Sequence, residues 1–380
     1  MADRFFVMLS ALLAGRQDRA LQALRRATPT LRRILVVTPV FGVGNLVLLT
    51  GLLVNLRRLC PSARVTLALP ANGHVRTIIG QALADDVVFF EPRSPRRALM
   101  FAWRTLRSEG FDLGLATFFL PWGYASAFLL LAGCRFRVAY APDRGRGLLN
   151  ATTCIDGGGH EIDRHLALLG FAAAEVDRRT SVVPEPEASA WAADVVRPIR
   201  AAGGARLVGL HPGCEPVNRQ KRWPAERFGE LVRHLLDAGD AGALVFLGPG
   251  EEELLPALGL PESPRVRVVT GEPLARVIAL IASCDVFVSN DSGLMHVAAG
   301  ASVPVVAIFG PTPLDKNAPV GRSTIVEREG MWCRPCWTGP PLTCHRDRRY
   351  CLEEVSVEQV LRATCAIMPV ATSGACRSPG

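Results

Sequence analysis

From Arg33 onward, short runs that are apolar at every position alternate with longer segments whose apolar residues recur at helical spacing. Ile34–Val37, Val65–Leu69, Val87–Phe90 and Asp112–Ala116 predict strands, and Asn45–Leu59, Thr77–Ala84 and Arg96–Ser108 predict the helices between them. Strands with no polar face are buried on both sides, and when helices separate them the arrangement is a parallel sheet of βαβ units. The pattern pauses over 182–204, where Pro184, Pro186, Pro198, Gly203 and Gly204 surround one short helical stretch, Ala188–Val196; that composition predicts a linker. It then restarts. Strands are predicted at Leu207–Leu210, Ala243–Leu247, Val266–Val269, Val286–Ser289 and Val303–Phe309, and helices at Ala225–Ala238, Glu251–Leu258 and Leu274–Ala282. The predicted organisation is an amphipathic, basic extension (1–32), a first Rossmann-like domain (33–181), a linker (182–204), a second Rossmann-like domain (205–330), a cysteine-rich loop (331–352), and a helix and tail (353–380).

Composition narrows the class. Hydrophobic residues are 49% of the chain and charged residues 21%, which excludes a disordered polypeptide. No run of about 18 apolar residues predicts a membrane span. Phe5–Gly15 superficially resembles a signal peptide, but Asp3 weakens its basic flank, and the Arg-rich stretch through Arg33 reads better as a surface helix. The expected location is therefore cytoplasmic, with peripheral membrane association. The net charge is +8, carried almost wholly by arginine, since Lys221 and Lys316 are the only lysines. Such a balance suits a phosphate-bearing substrate or an anionic membrane, and equally an Arg-rich codon bias. No stripe of interleaved basic and aromatic residues stands out, so nucleic acid is not an expected partner.

Three loops follow predicted strands at the position where doubly wound sheets bind ligands, with helix N-termini presenting unpaired N–H groups. The first is Pro39–Asn45, in which Gly42 and Gly44 permit close backbone approach. The second runs from His211-Pro212-Gly213 to Lys221-Arg222-Trp223-Pro224, and Pro224 suits the start of a helix. The third is Asn290-Asp291-Ser292-Gly293-Leu294-Met295-His296, where Asp291 or Ser292 can cap the next helix, Ser292 and Gly293 can offer N–H groups to a diphosphate, and His296 lies one turn on. Each loop alone has a bland alternative: a common glycine turn, an exposed cation, an ordinary cap.

Taken together with Gly248-Pro249-Gly250-Glu251-Glu252 and Pro304–Pro311, these pieces resemble glycosyltransferase family 9, the ADP-heptose:lipopolysaccharide heptosyltransferases, over about residues 33 to 365. The resemblance implies a GT-B fold, with two Rossmann-like domains facing a central cleft, and an inverting, metal-independent transfer that needs no catalytic cofactor. It implies an ADP-heptose donor on the C-terminal domain, held by Gly44, Lys221, Glu251, Asp291, Ser292, Gly293 and His296. Lys221 also stabilises the leaving diphosphate, and Glu251 serves the nucleoside part. The implied acceptor is a lipid A–core glycolipid lying against the N-terminal domain at the anionic inner-membrane surface.

One departure bears on catalysis. Family members usually carry Gly-Asp where this chain has Gly44-Asn45, and that Asp is the proposed base. A carboxamide has no useful proton affinity near neutral pH, so Asn45 can orient a hydroxyl but cannot take its proton. Another group such as Asp143, His160, Glu161 or Asp163 then serves, or activity is low, or the protein binds a donor without transferring it. Asn45 is also expected to cap its helix. A transferase for a different nucleotide sugar and acceptor stays open, and a dinucleotide oxidoreductase is more distant. Finally, Cys333, Cys336, Cys344 and Cys351 lie within nineteen residues. A C-x2-C start with two further thiols suits tetrahedral zinc or iron, with His345 as an alternative ligand, while free or redox-labile thiols are the other reading.

Overall fold

The structure, a computed structural model, describes residues 19–20, 22–40, 42–117, 122–140, 149, 151–153, 159–170, 176–337 and 343–368. It divides into two compact units, Met1–Thr180 and Ser181–Gly380.

The first unit contains strands β1 (Arg33–Val37), β2 (Arg64–Leu69), β3 (Asp86–Phe89), β4 (Leu113–Ala116), β5 (Phe136–Tyr140) and β6 (Ala151–Thr153). Its helices include α1 (Val43–Leu59), α2 (Val75–Leu83), α3 (Pro95–Phe101), α4 (Trp122–Leu131) and α5 (Glu161–Ala167). The sheet is parallel in the order β3-β2-β1-β4-β5-β6. Residues 34–37 and 113–116 are wholly buried because these central strands carry helices on both faces, which is why they read as unbroken apolar runs.

The second unit repeats that plan with β7 (Arg206–His211), β8 (Ala241–Phe246), β9 (Val266–Val269), β10 (Val286–Asn290), β11 (Val305–Phe309) and β12 (Ser323–Glu327), paired in the order β12-β11-β10-β7-β8-β9. Around them lie α6 (Pro186–Ala201), α7 (Ala225–Asp237), α8 (Leu274–Ala282), α9 (Gly293–Gly300) and α10 (Val357–Ile367). Counted within each unit, the strand order is 3-2-1-4-5-6, so each sheet has a switch point between its first and fourth strands: β1 and β4 in one unit, β7 and β10 in the other. At the first of these, Thr117 Oγ1 donates to Thr38 Oγ1 at 2.9 Å and both residues are buried.

The structure differs from the sequence expectation in three places. The stretch 182–204, expected as a linker, holds the 16-residue helix α6, whose Ala188, Ala192, Val195, Val196 and Ile199 are buried. Pro198 sits inside that helix near its end, where prolines had suggested a break. The expected helix Glu251–Leu258 is a short 3-10 turn, Glu252–Leu254, followed by Leu255–Leu258. Between Ala116 and Val182, where no element was predicted, stand α4, β5, β6 and α5. The sequence of α4, Trp-Gly-Tyr-Ala-Ser-Ala-Phe-Leu-Leu-Leu, is too uniformly apolar to show a helical period.

Candidate active site

The second switch point is where the predicted donor loops converge. β7 ends in His211 and β10 ends in Asn290, and the loop after each carries candidate site residues. His211 Nδ1 lies 2.9 Å from Ser292 Oγ and its Nε2 lies 3.1 Å from Glu251 Oε2, so one buried imidazole joins three loops. Glu251 Oε2 also accepts from the Gly248 N–H at 2.7 Å, and Arg222 approaches Oε1 at 3.6 Å. Burial pushes the Glu251 carboxyl up, but the hydrogen bond and charge of His211, the Gly248 N–H and Arg222 together outweigh it and hold it below the ordinary glutamate range. An ionised carboxylate only accepts, so His211 Nε2 is the donor and Nδ1 faces Ser292. Glu251 therefore reaches the site as the partner of His211, a role that its position after β8 did not reveal.

Ser292 is the N-cap of α9: its Oγ accepts from the Met295 N–H at 3.4 Å and stands 3.0 Å from Ser289 Oγ. The Glu–His–Ser constellation has the composition of an acyl-transfer triad. Here, however, the hydroxyl is committed to the helix cap, and the network orients the start of α9 instead of freeing a nucleophile. Gly293 opens that helix, and His296 is buried within it.

Beside this network, Lys221 Nζ and Asp291 Oδ2 form an ion pair of 2.8 Å whose side chains are 8% and 6% exposed. Burying two charges is costly, and a buried pair is weak evidence of a stability role. Its placement at the mouth of the switch point is what makes it notable. Trp337, from the cysteine-rich loop, lays its ring 4.1 Å from the same Nζ. Neighbouring bonds fix the loops: Asn290 Nδ2 donates to the carbonyls of Pro212 and Gly213, its Oδ1 accepts from the Trp223 N–H at 2.9 Å, and Trp223 Nε1 donates to the Val355 carbonyl. Gly213 is required here, since a Cβ at that position would stand 2.1 Å from the Glu251 carboxylate.

Lys221, Glu251, Asp291, Ser292, Gly293 and His296 thus all lie in the second unit around its switch point, and His211, Asn290 and Trp337 join them. His211 is visible in the sequence as the head of His-Pro-Gly, and Asn290 as the residue before Asp-Ser-Gly; Trp337 carries no local signal. Gly44 and Asn45 lie in the first unit. The N-cap of α1 is Gly42, so Gly44 and Asn45 occupy its first turn and the expected capping by Asn45 is not observed; its side chain is exposed. Of the alternative bases, His160 caps α5 by accepting from the Ile162 N–H at 3.2 Å, Glu161 is buried 3.6 Å from Arg164, and Asp163 pairs with Arg178. Asp143 lies outside the described residues.

The metal reading of the cysteine cluster, the alternative to free or redox-labile thiols, gains no support from the described residues. Among the described residues, no group of three or more His, Cys, Asp or Glu side chains is arranged to hold an ion. Cys333, Cys336, Cys344 and Cys351 are close enough to influence one another electrostatically, yet Cys351 is buried against the core of the second unit and Cys344 Sγ turns to the Arg348 carbonyl at 3.8 Å.

The sequence profile of glycosyltransferase family 9 (heptosyltransferase) matches residues 100–341. The chain belongs to this family. Lipopolysaccharide heptosyltransferase 2 of Salmonella typhimurium is 30% identical over 240 residues, 59% of this chain and 67% of that protein. Its Escherichia coli counterpart is 37% identical over 126 residues, 32% of this chain, and the chain spans only 36% of that relative's length. In fold, the structure of E. coli ADP-heptose lipopolysaccharide heptosyltransferase II matches with a TM-score of 0.68 at 21% identity, covering 88% of this chain and 98% of that one. The α/β architecture is thus the one expected of family 9, with two doubly wound parallel sheets. TibC of enterotoxigenic E. coli, described as an iron-containing dodecameric glycosyltransferase, is more distant, with a TM-score of 0.54 at 17% identity, covering 88% of this chain and 76% of that one.

Proposed function

We propose that this family 9 member transfers heptose from ADP-heptose to a lipid A–core acceptor, in one inverting displacement that needs no metal at the reaction centre. In that displacement an acceptor hydroxyl oxygen bonds to the anomeric carbon, the bond from that carbon to the ADP diphosphate breaks, and the hydroxyl proton passes to a base. Negative charge grows on the departing diphosphate, and positive charge or aimed N–H groups already in place stabilise it most. The observation that carries the reading is the buried Lys221–Asp291 pair beside the capped N-terminus of α9, both at the switch point of one sheet. Lys221 and the N–H groups following Ser292 take the diphosphate, His211 and Glu251 hold that helix start in place, and His296 completes the donor side. On the acceptor side, a cavity of about 710 Å³ opens in the first unit beyond β2 and β3, lined by Asn72, His74, Phe89, Glu91 and Arg93, a mixture suited to a phosphorylated sugar.

Turnover of ADP-heptose with a lipid A–core acceptor tests the reading. Lys221→Ala should weaken ADP binding and lower kcat together, whereas loss of a purely structural cation would leave both intact in the folded fraction. Asn45 favours a second reading, a nucleotide-sugar binder with little or no transfer. Tight ADP-heptose binding without product across an acceptor panel would establish the second reading in place of the first.

A further inference from the structure

The sequence from Arg93 to Arg107 contains five arginines and no acidic residue. It is helical from Pro95 to Glu109: α3 continues through a π-helical turn, Ala102–Leu106, and a 3-10 turn, Arg107–Glu109. Ala98, Ala102 and Leu106 face inward and are almost wholly buried, packed with Phe128 of α4 in the core of the first unit. The opposite face, at helical spacing, is Arg96, Met100, Trp103, Arg104 and Arg107, all exposed. Trp103 is 53% exposed and Met100 45%, and Leu130 of α4 adds a further exposed apolar side chain at 39%. The two flanking acids are Glu109, engaged by Arg33 at 2.7 Å, and Glu91, which accepts from the Arg93 N–H at 3.1 Å.

A surface helix facing only water would gain nothing from an exposed tryptophan and methionine, and would mix the signs of its charges. An apolar centre ringed by arginines is instead the composition of a helix lying in the interface of a bilayer. There, aromatic and sulfur side chains enter the headgroup–acyl boundary and guanidinium groups meet anionic headgroups. No helix among the described residues is long and apolar enough to span a membrane.

We infer that the face Arg96–Met100–Trp103–Arg104–Arg107 docks the first unit on an anionic phospholipid surface, with Trp103 and Met100 inserted. The same segment leads directly out of the cavity beyond β3 through Arg93, so docking places that cavity at the headgroup layer, where the sugar of a lipid-borne acceptor is presented. This deepens the acceptor side of the proposed function, but its test needs neither donor nor transfer.

The test is flotation of the full chain with phosphatidylcholine vesicles, with and without phosphatidylglycerol, across a salt series. The wild type should float only with the anionic vesicles and detach as salt rises. Each exposed arginine should be worth roughly fivefold in partitioning, so Arg96→Ser/Arg104→Ser/Arg107→Ser should lose on the order of 100-fold. Met100→Ser/Trp103→Ser should weaken binding and abolish the quenching of protein fluorescence by brominated lipid, with the circular dichroism spectrum unchanged. Equal flotation with neutral vesicles, or quenching that survives in the Met100→Ser/Trp103→Ser variant, overturns the inference. So does self-association that this variant abolishes in the absence of lipid, which would assign the face to a second copy of the chain. A wild type that floats but transfers nothing leaves this surface standing and removes the functional reading alone.

Discussion

Gly213 shows how tightly single residues set the proposed donor side. An added methyl group must displace a Glu251 side chain that is held from three directions. Gly213→Ala should therefore break the His211–Glu251 bond and lower ADP affinity at least tenfold, measured by calorimetry, together with a loss of about 1–3 kcal/mol of stability from overpacking. Asn45 is the opposite case, an exposed side chain in the first turn of α1 with room to change. Asn45→Asp places a carboxylate near a helix N-terminus, which should stabilise by about 0.3–1 kcal/mol. If it supplies the missing base, turnover should rise by on the order of 10²-fold or more at unchanged donor affinity. A wild type that turns over rapidly and slows on this substitution would assign proton removal to another group. At this scale the sequence made Asp291, Ser292 and Gly293 legible because they directly follow an apolar strand, and Lys221 because it stands in Lys-Arg-Trp-Pro at the start of the next helix. The Glu251–His211 bond and the Trp337 ring over Lys221 were not legible, because they join residues 40 and 116 positions apart.

Among elements, α10 closes the second unit with a full capping box: Ser356 Oγ accepts from the Gln359 N–H and Gln359 Oε1 accepts from the Ser356 N–H. The preceding residue, Val355, receives Trp223 Nε1 through its carbonyl, so the helix start is tied to the loop that carries Lys221. Ser356→Ala should cost about 1 kcal/mol by urea denaturation, with little change in ADP binding if the Val355 contact persists. The strands were readable because burial on both faces writes itself as an unbroken apolar run. The helix α6 was misread because its prolines lie at its two ends, Pro186 in the first turn and Pro198 near the last, where a helix tolerates them. The basic and aromatic face of the helical segment Pro95–Glu109 shows for a related reason only in the structure: Trp103 and Arg104 stand out once Ala98, Ala102 and Leu106 are known to point inward.

On the scale of the whole molecule, the same strand order is used twice with different chemistry at the switch point. The first unit closes its switch point with two neutral hydroxyls, Thr38 and Thr117, and the second places a histidine, a glutamate and a lysine–aspartate ion pair around its own. Each unit also has a hydrophobic core drawn from its own residues. Unfolding in urea should accordingly show two transitions, and the first unit's should weaken as pH falls from about 6.5 towards 4. His165 of the first unit is wholly buried, and burial lowers its pKa from 6.5 to about 4. The unfolded chain therefore binds the proton more readily, so the stability due to neutral His165 is complete above pH 6.5 and is lost as pH falls towards 4. The full loss is on the order of 3 kcal/mol. His165→Leu should flatten that dependence in the first unit's transition and leave the other transition unmoved.

The scarcity of lysine gives the buried ion pair a further use. With one side-chain amine sealed against Asp291 and Trp337 and the other, Lys316, partly accessible, an acylating reagent meets almost no competing sites along the chain. The rate at which Lys221 becomes acylated then becomes a clock for the opening of that single contact, readable by mass spectrometry on one peptide. Ligands that occupy the site would be ranked by how far they slow that clock.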